Sequence, residues 1–376
     1  MSTPTYTPLQ TLFTLSILSD LGHAFTGSVA EIETALTAEI QKQLSDLEPL
    51  IGPWQLVWGP AVYELPLSDR PDNVMLVARN VGVPGLQQLV VSIAGTNPYS
   101  FLDWIVEDFL VSPPLIPWFS GRPFAFDRGT SLGAFTGISI LQALRPGPGQ
   151  PGAGTTLRDF LAAQITAPTA IDLGGHSLGG ALSPTLALWL HDTQGDWDPA
   201  GHASLSALPS AGPTAGNQQF AAYSDAQIGA QVTRLHNPLD VVPHAWAAAD
   251  VLAIPTLYVP QIQPDDVVNS FVALLSSISV AGNYAQIDAG APPLAGAAVD
   301  ATKINPGDPA FVNFFTQAGY QHVDAYFQLL GVPEVAPLMA PVKASAAAAG
   351  PTDVLGRLQI KLAKFRAAGA GPISRT

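Results

Sequence analysis

The stretch IDLGGHSLGGALSP, Ile171 to Pro184, changes its character halfway. A short apolar run enters it. Glycine pairs flank His176-Ser177-Leu178, and the run that leaves it, Ala181 to Leu190, carries apolar residues at helical spacing. Residues 175–179 fit G-x-S-x-G, in which a serine sits on a sharp strand-to-helix turn with its hydroxyl above the edge of a sheet. Glycines two before and two after Ser177 remove side chains that would collide across so tight a turn. The free N–H groups and dipole of the following helix suit an anion forming beside the serine. Pro184 falls inside the expected helix, too late for a first-turn position, and predicts a kink there.

Outward from this turn, WQLVWG, AVYELP, NVMLVARN, LQQLVVSIAGT, HASLSALPSAGPTAGN and QVTRLHNPLDVVP read as strands that end in loops. Residues 28–48 place Val29, Ile32, Leu36, Ile40, Leu44 and Leu47 at helical spacing. Strands alternating with helices predict an α/β fold with a mostly parallel central sheet and helices on both faces. Residues 264–282 read as a strongly apolar helix capping the end of that sheet. We expect one domain over residues 1–340 with an N-terminal helical extension. Residues 341–376 are expected to form a small-residue linker and a basic C-terminal helix, with Leu355, Leu358, Leu362 and Phe365 on one face and Arg357, Lys361, Lys364 and Arg366 among them.

Composition narrows the function. The 376 residues carry a net charge of −14 and only 12% charged residues. Nucleic-acid binding needs clustered Lys and Arg, so it is excluded as an expectation. There is no cysteine, hence no disulfide and no thiolate metal site. The first 25 residues lack Lys and Arg, so no signal peptide is recognised. No apolar run reaches the roughly 18 residues of a membrane span. The expectation is a soluble protein, cytoplasmic or exported by a route the sequence does not reveal, needing no cofactor and no metal. Asp192, Asp196 and Asp198 are read as a solvated acidic loop rather than a calcium site.

A serine hydroxyl needs a base to take its proton and a carboxylate to orient that base. In hydrolases built around this turn the chain order is serine, acid, histidine. Asp240 follows a strand-like run and Asn237-Pro238, where a ligand crevice opens at the carboxyl ends of strands. His322, late in the chain, can hang over the sheet from a loop. His244 lies only four residues past Asp240, and a base should approach from a separate segment, so His322 is preferred. His236 is read as a packed strand-end residue, His191 as a helix C-terminal partner, and His176 as structural, pointing away from the serine.

Together, GHSLGGAL, the upstream VVSIAGT with a nearby Trp and Asp, the later Asp240-Val-Val-Pro243 and the late histidine resemble the class 3 lipases, the fungal-type triacylglycerol lipases of the α/β-hydrolase fold. The resemblance spans roughly Leu89 to Phe327. It implies a Ser177–Asp240–His322 triad that hydrolyses carboxylic esters, acylglycerols foremost, through an acyl-enzyme. The oxyanion hole it implies pairs Thr96 with the N–H of Leu178. Ala94 stands where the family has an arginine. The family's amphipathic lid corresponds to residues 101–109, where Phe101, Trp104, Ile105 and Phe109 share a helical face. That face fits a lid in contact with substrate and a buried surface helix equally. Two other readings share these residues: a lidless carboxylesterase for short soluble esters, and a non-catalytic lipid-binding protein. The partner implied is a lipid or small ester, with a lipid–water interface possible.

Overall fold

The computed structural model describes residues 5–65, 69–83, 85, 87–98, 111–119 and 126–348. Helix α1 (Pro8–Ser16) opens with a capping box in which Thr7 and Gln10 satisfy each other's backbone N–H groups. Helix α2 (Val29–Asp46) buries Ile32, Leu36, Ile40 and Leu44, as the spacing requires. Strands β1 (Trp54–Tyr63), β2 (Asn73–Asn80) and β3 (Gln88–Ala94) follow, then helix α3 (Leu132–Ala143). Strand β4 (Thr169–His176) runs straight into helix α4 (Leu178–Asp192), and β5 (Ala203–Ser210) completes the main sheet in the order β1-β2-β3-β4-β5.

The sheet is mixed rather than mostly parallel. Pairs β3–β4 and β4–β5 are parallel, but β1–β2 and β2–β3 are antiparallel. Parallel neighbours need a crossover of a dozen or more residues. The connections at 64–72 and 81–87 are too short, so this half folds as a meander. The expected strand at 232–236 is reduced to two parallel bridges, Ala207 to Val232 and Ser210 to Leu235. Pro209 lies on the facing edge; it accepts from Leu235 N–H at 2.8 Å but has no N–H to return.

Alternation along β2 divides the interior. Met75 and Val77 face α3 and α4, while Val74, Leu76 and Ala78 face α1 and α2. Helices therefore cover both faces, as in the α/β-hydrolase fold. Helix α4 continues unbroken through Pro184, which is buried within it. A third apolar cluster gathers Trp246, Tyr258, Phe271 and Phe314 around Val241 and Val242. The apolar segment at 264–282, helical over Asp266–Ser279, belongs to this cluster and so backs the loop that carries Asp240. The Tyr258 hydroxyl donates to Leu239 O at 2.9 Å on the same loop.

Part of the expected C-terminal linker is helical instead, over Ala340–Ala348. The Lys343 ammonium holds Asp324 at 2.7 Å, and Asn97 donates to Val342 O at 3.3 Å. The basic tail beyond lies outside the described residues. No helix among the described residues is long and apolar enough to cross a membrane.

Candidate active site

Ser177 joins β4 to α4 with φ 58° and ψ −122°, a conformation that non-glycine residues rarely adopt. Strain of this kind costs on the order of 1–3 kcal/mol and persists only where the surroundings enforce it. Here the Ser177 N–H donates to Ser210 O at 3.1 Å, pinning the turn to β5. A Cβ on either Gly175 or Gly179 would run into the Ile93 carbonyl of β3. The two motif glycines thus let the turn sit flush on the neighbouring strand. Ser177 itself is only 5% exposed.

His322 reaches Ser177 from the far end of the chain. Its Nε2 lies 2.9 Å from Ser177 Oγ, and its Nδ1 lies 3.0 and 3.1 Å from the two oxygens of Asp240. Both His322 and Asp240 are fully buried. The structure therefore brings together the three residues expected from the sequence. The support for His322 differs from expectation. It sits not on a loop but in a π-helical turn, Tyr320–Asp324, between helices Ala310–Gly319 and Ala325–Leu329. Single π turns inside helices widen the helix locally and recur at functional sites.

Asp240 is held as an acceptor on all sides. Its Oδ1 accepts from Val242 N–H at 3.0 Å and its Oδ2 from the Tyr326 hydroxyl at 3.0 Å. The Tyr326 oxygen accepts in turn from Asn237 N–H at 3.0 Å. Asn237 donates through Nδ2 to the Gln321 carbonyl and side-chain oxygen at 2.9 and 2.7 Å. Burial, then the neighbouring Asp240 charge, hold the Tyr326 phenol well above its ordinary pKa, so it remains a proton donor. The sequence reading missed Tyr326 and Asn237. Their signals were faint: Tyr326 falls one helical turn after His322 and reads as core, and Asn237-Pro238 reads as a turn.

His176 makes no bond to Ser177, as expected, yet it is not remote from the site. Its ring stands 5.0 Å from the His322 ring. His244, the alternative base, donates from Nε2 to Pro238 O, 3.2 Å away, within its own loop. His191 lies 3.7 Å from Asp192 at the end of α4. His236 is half-buried beside the bridge at Leu235.

Thr96 and Leu178 border one cavity of about 230 Å³, together with Val111, Ile140, Thr214 and Trp246. Leu178 opens α4, so its N–H has no intrahelical acceptor. A Cβ on Gly95 would come within 2.6 Å of the Leu178 side chain, so the Thr96 turn packs directly on the start of that helix. Phe101, Trp104 and Ile105, the expected lid contacts, lie outside the described residues.

The acidic stretch at 192–198 corrects the expectation of a solvated loop. Asp192 is buried and accepts from Trp118 Nε1 at 3.1 Å and the Tyr223 hydroxyl at 2.8 Å. Asp198, also buried, accepts from the His202 and Ala203 N–H groups at 3.0 and 2.7 Å. Asp196 is exposed. No group of three metal-ligating side chains is gathered among the described residues.

These observations define an α/β-hydrolase fold. Comparison with known proteins narrows the class. The class 3 lipase family profile matches residues 152–249, which include Ser177 and Asp240. The crystal structure of M37 lipase is 34% identical and covers 91% of this chain and 98% of its own, with a TM-score of 0.79. Lipase II from Rhizopus niveus is 20% identical over 56% of this chain and 64% of its own, with a TM-score of 0.39. Rhizomucor miehei triacylglyceride lipase is 19% identical over 64% and 74%, with a TM-score of 0.42. No curated protein sequence matches. The chain belongs to the class 3 lipase family.

Proposed function

We propose that this protein hydrolyses carboxylic esters, acylglycerols foremost, by a serine-dependent double displacement. One observation carries the reading: a single buried imidazole, His322, hydrogen-bonds the Ser177 hydroxyl on one nitrogen and the Asp240 carboxylate on the other.

In the first half-reaction His322 Nε2 takes the Ser177 proton while Ser177 Oγ attacks the ester carbonyl. Asp240 accepts from Nδ1–H, fixes the tautomer that leaves Nε2 bare, and stabilises the imidazolium. Negative charge collects on the carbonyl oxygen, where the N–H groups of Thr96 and Leu178 receive it. Preorganised donors of this kind are worth about 3–4 kcal/mol each. The imidazolium then protonates the departing alcohol, leaving Ser177 acylated. Water enters, gives its proton to His322 and attacks the acyl carbon. The carboxylic acid leaves and Ser177 recovers its proton. The family supports an ester substrate, and the apolar walls contributed by Val111, Ile140, Leu178 and Trp246 support an acyl chain in the cavity that Thr96 and Leu178 border. Acyl preference rests on those walls.

The test is hydrolysis of p-nitrophenyl esters from short to long acyl chains, with Ser177→Ala beside the native protein. Turnover that vanishes in the variant supports the mechanism; undiminished turnover removes Ser177 from it.

A further inference from the structure

We infer that His176, the residue before the proposed nucleophile, is a positioning residue that holds the His322 imidazole against Ser177. The inference rests on the ester-hydrolase reading above and adds a member to it. His176 is 4% exposed, and its ring lies 5.0 Å from the His322 ring at an interplanar angle of 41°. The Tyr326 ring meets the His176 imidazole edge-on, with centroids 5.3 Å apart and planes at 86°. His176 thus fills the corner between the base and the tyrosine that bonds its carboxylate partner.

One residue ties this wall to the nucleophile. The Ser210 carbonyl accepts the Ser177 N–H at 3.1 Å, while the Ser210 hydroxyl donates to Gly175 O at 3.1 Å. With its own proton committed, that hydroxyl is left as the acceptor for His176 Nδ1–H, 3.3 Å away. His176 is therefore anchored by the same residue of β5 that anchors Ser177, and its ring presses on the base. The separation between His322 Nε2 and Ser177 Oγ is set from both sides through Ser210. Burial first, and the nearby His322 second, keep the His176 imidazole well below its ordinary pKa. It stays neutral, so it does not oppose the imidazolium forming beside it.

The imidazole is tied to Ser210 at Nδ1 and meets the His322 backbone as well as its ring. An apolar residue would fill the same space without either tie, so the imidazole supplies a flat ring fixed in place. Misplacing a catalytic group by about 1 Å can cost roughly 100-fold in rate, which sets the scale of what the wall protects.

The experiment compares His176→Ala, His176→Asn and His176→Phe with the native chain and Ser177→Ala, on p-nitrophenyl butyrate, following kcat, KM and Tm. Asn keeps a donor toward Ser210 but removes the ring; Phe keeps a ring and removes the donor. The expected result is a kcat lower by roughly 10- to 100-fold in the Ala and Asn variants, with KM within about twofold. Phe, which returns the ring without its Ser210 anchor, should recover part of kcat, to a value between the Asn variant and the native chain, whatever overpacking does to its Tm. If Ala does not fold, the Asn–Phe pair carries the comparison. Native kcat in a folded Ala or Asn variant overturns the inference. So does a Phe variant as slow as Asn, or an effect confined to KM. Activity surviving in Ser177→Ala would instead overturn the ester-hydrolase reading itself, which separates the two failures.

Discussion

The Tyr326 hydroxyl donates to Asp240 Oδ2 over 3.0 Å, one helical turn after His322 on the same chain segment. The helix that delivers the proposed base thus also delivers a donor to the carboxylate that orients it. Hydrogen bonds to buried charged groups contribute about 1.5–3 kcal/mol. Tyr326→Phe leaves Oδ2 with one donor fewer and strips Asn237 N–H of its acceptor. The expected outcome is a loss of about 2 kcal/mol in denaturant unfolding and roughly a tenfold lower kcat, with KM little changed.

Asp240→Asn keeps shape and burial while removing charge. The amide can present its N–H₂ toward Nδ1, which selects the wrong imidazole tautomer. A fall in kcat of about 10³- to 10⁴-fold is expected, read by initial rates on a short-chain ester. Melting should stay cooperative but shift down, because Val242 N–H and the Tyr326 hydroxyl bond different oxygens of Asp240 and the amide keeps only one of them, a loss of about 1–3 kcal/mol.

Ser177 stores backbone strain that a glycine would release. Ser177→Ala and Ser177→Gly both remove the hydroxyl, and neither should turn over ester. They should differ in stability. Glycine adopts φ 58° and ψ −122° without a Cβ penalty, so the Gly variant should exceed the Ala variant by about 1 kcal/mol in equilibrium unfolding. Equal stabilities would show that the turn is not strained.

His23 gives the fold a pH dependence separate from turnover. It is buried on the short 3₁₀ helix Leu18–Ala24, and burial lowers its pKa to about 4 against partial opposition from the Gly95 and Pro71 backbone. The folded state therefore favours the neutral ring. Its contribution is complete above the unfolded value of 6.5 and is lost as pH falls from there toward 4. Across that window the loss approaches about 1.4 kcal/mol per pH unit. His176 and His236, also lowered by burial, add to the slope, and buried Asp20, raised by burial, opposes it. In urea unfolding between pH 7 and 4, His23→Phe should therefore reduce the native slope by up to about 1.4 kcal/mol per pH unit rather than abolish it.

Legibility in the sequence followed the range of the interactions. The Ser177 turn was readable because its steric demands are met within five residues, two of them glycine. Asp240 and His322 were readable from chain order and from their places after a strand and before a helix. The antiparallel half of the sheet was implicit in the short connections at 64–72 and 81–87. The π turn under His322 was not legible, since it leaves the same apolar pattern as an α-helix. Tyr326 hid among core positions for that reason. Asp192 was mistaken for a surface acid because its partners Trp118 and Tyr223 come from elsewhere in the chain. His176 was read as structural because nothing local places it against a residue 146 positions later.

The central claim, that Ser177 is the nucleophile, is tested most directly by covalent trapping. The native protein is treated with a p-nitrophenyl phosphonate and the modified peptide located by mass spectrometry. The expected result is one adduct per chain on Ser177, with activity lost in step with modification. His322→Ala should slow its formation strongly. Inactivation with Ser177 unmodified, or full activity with Ser177 blocked, would contradict it.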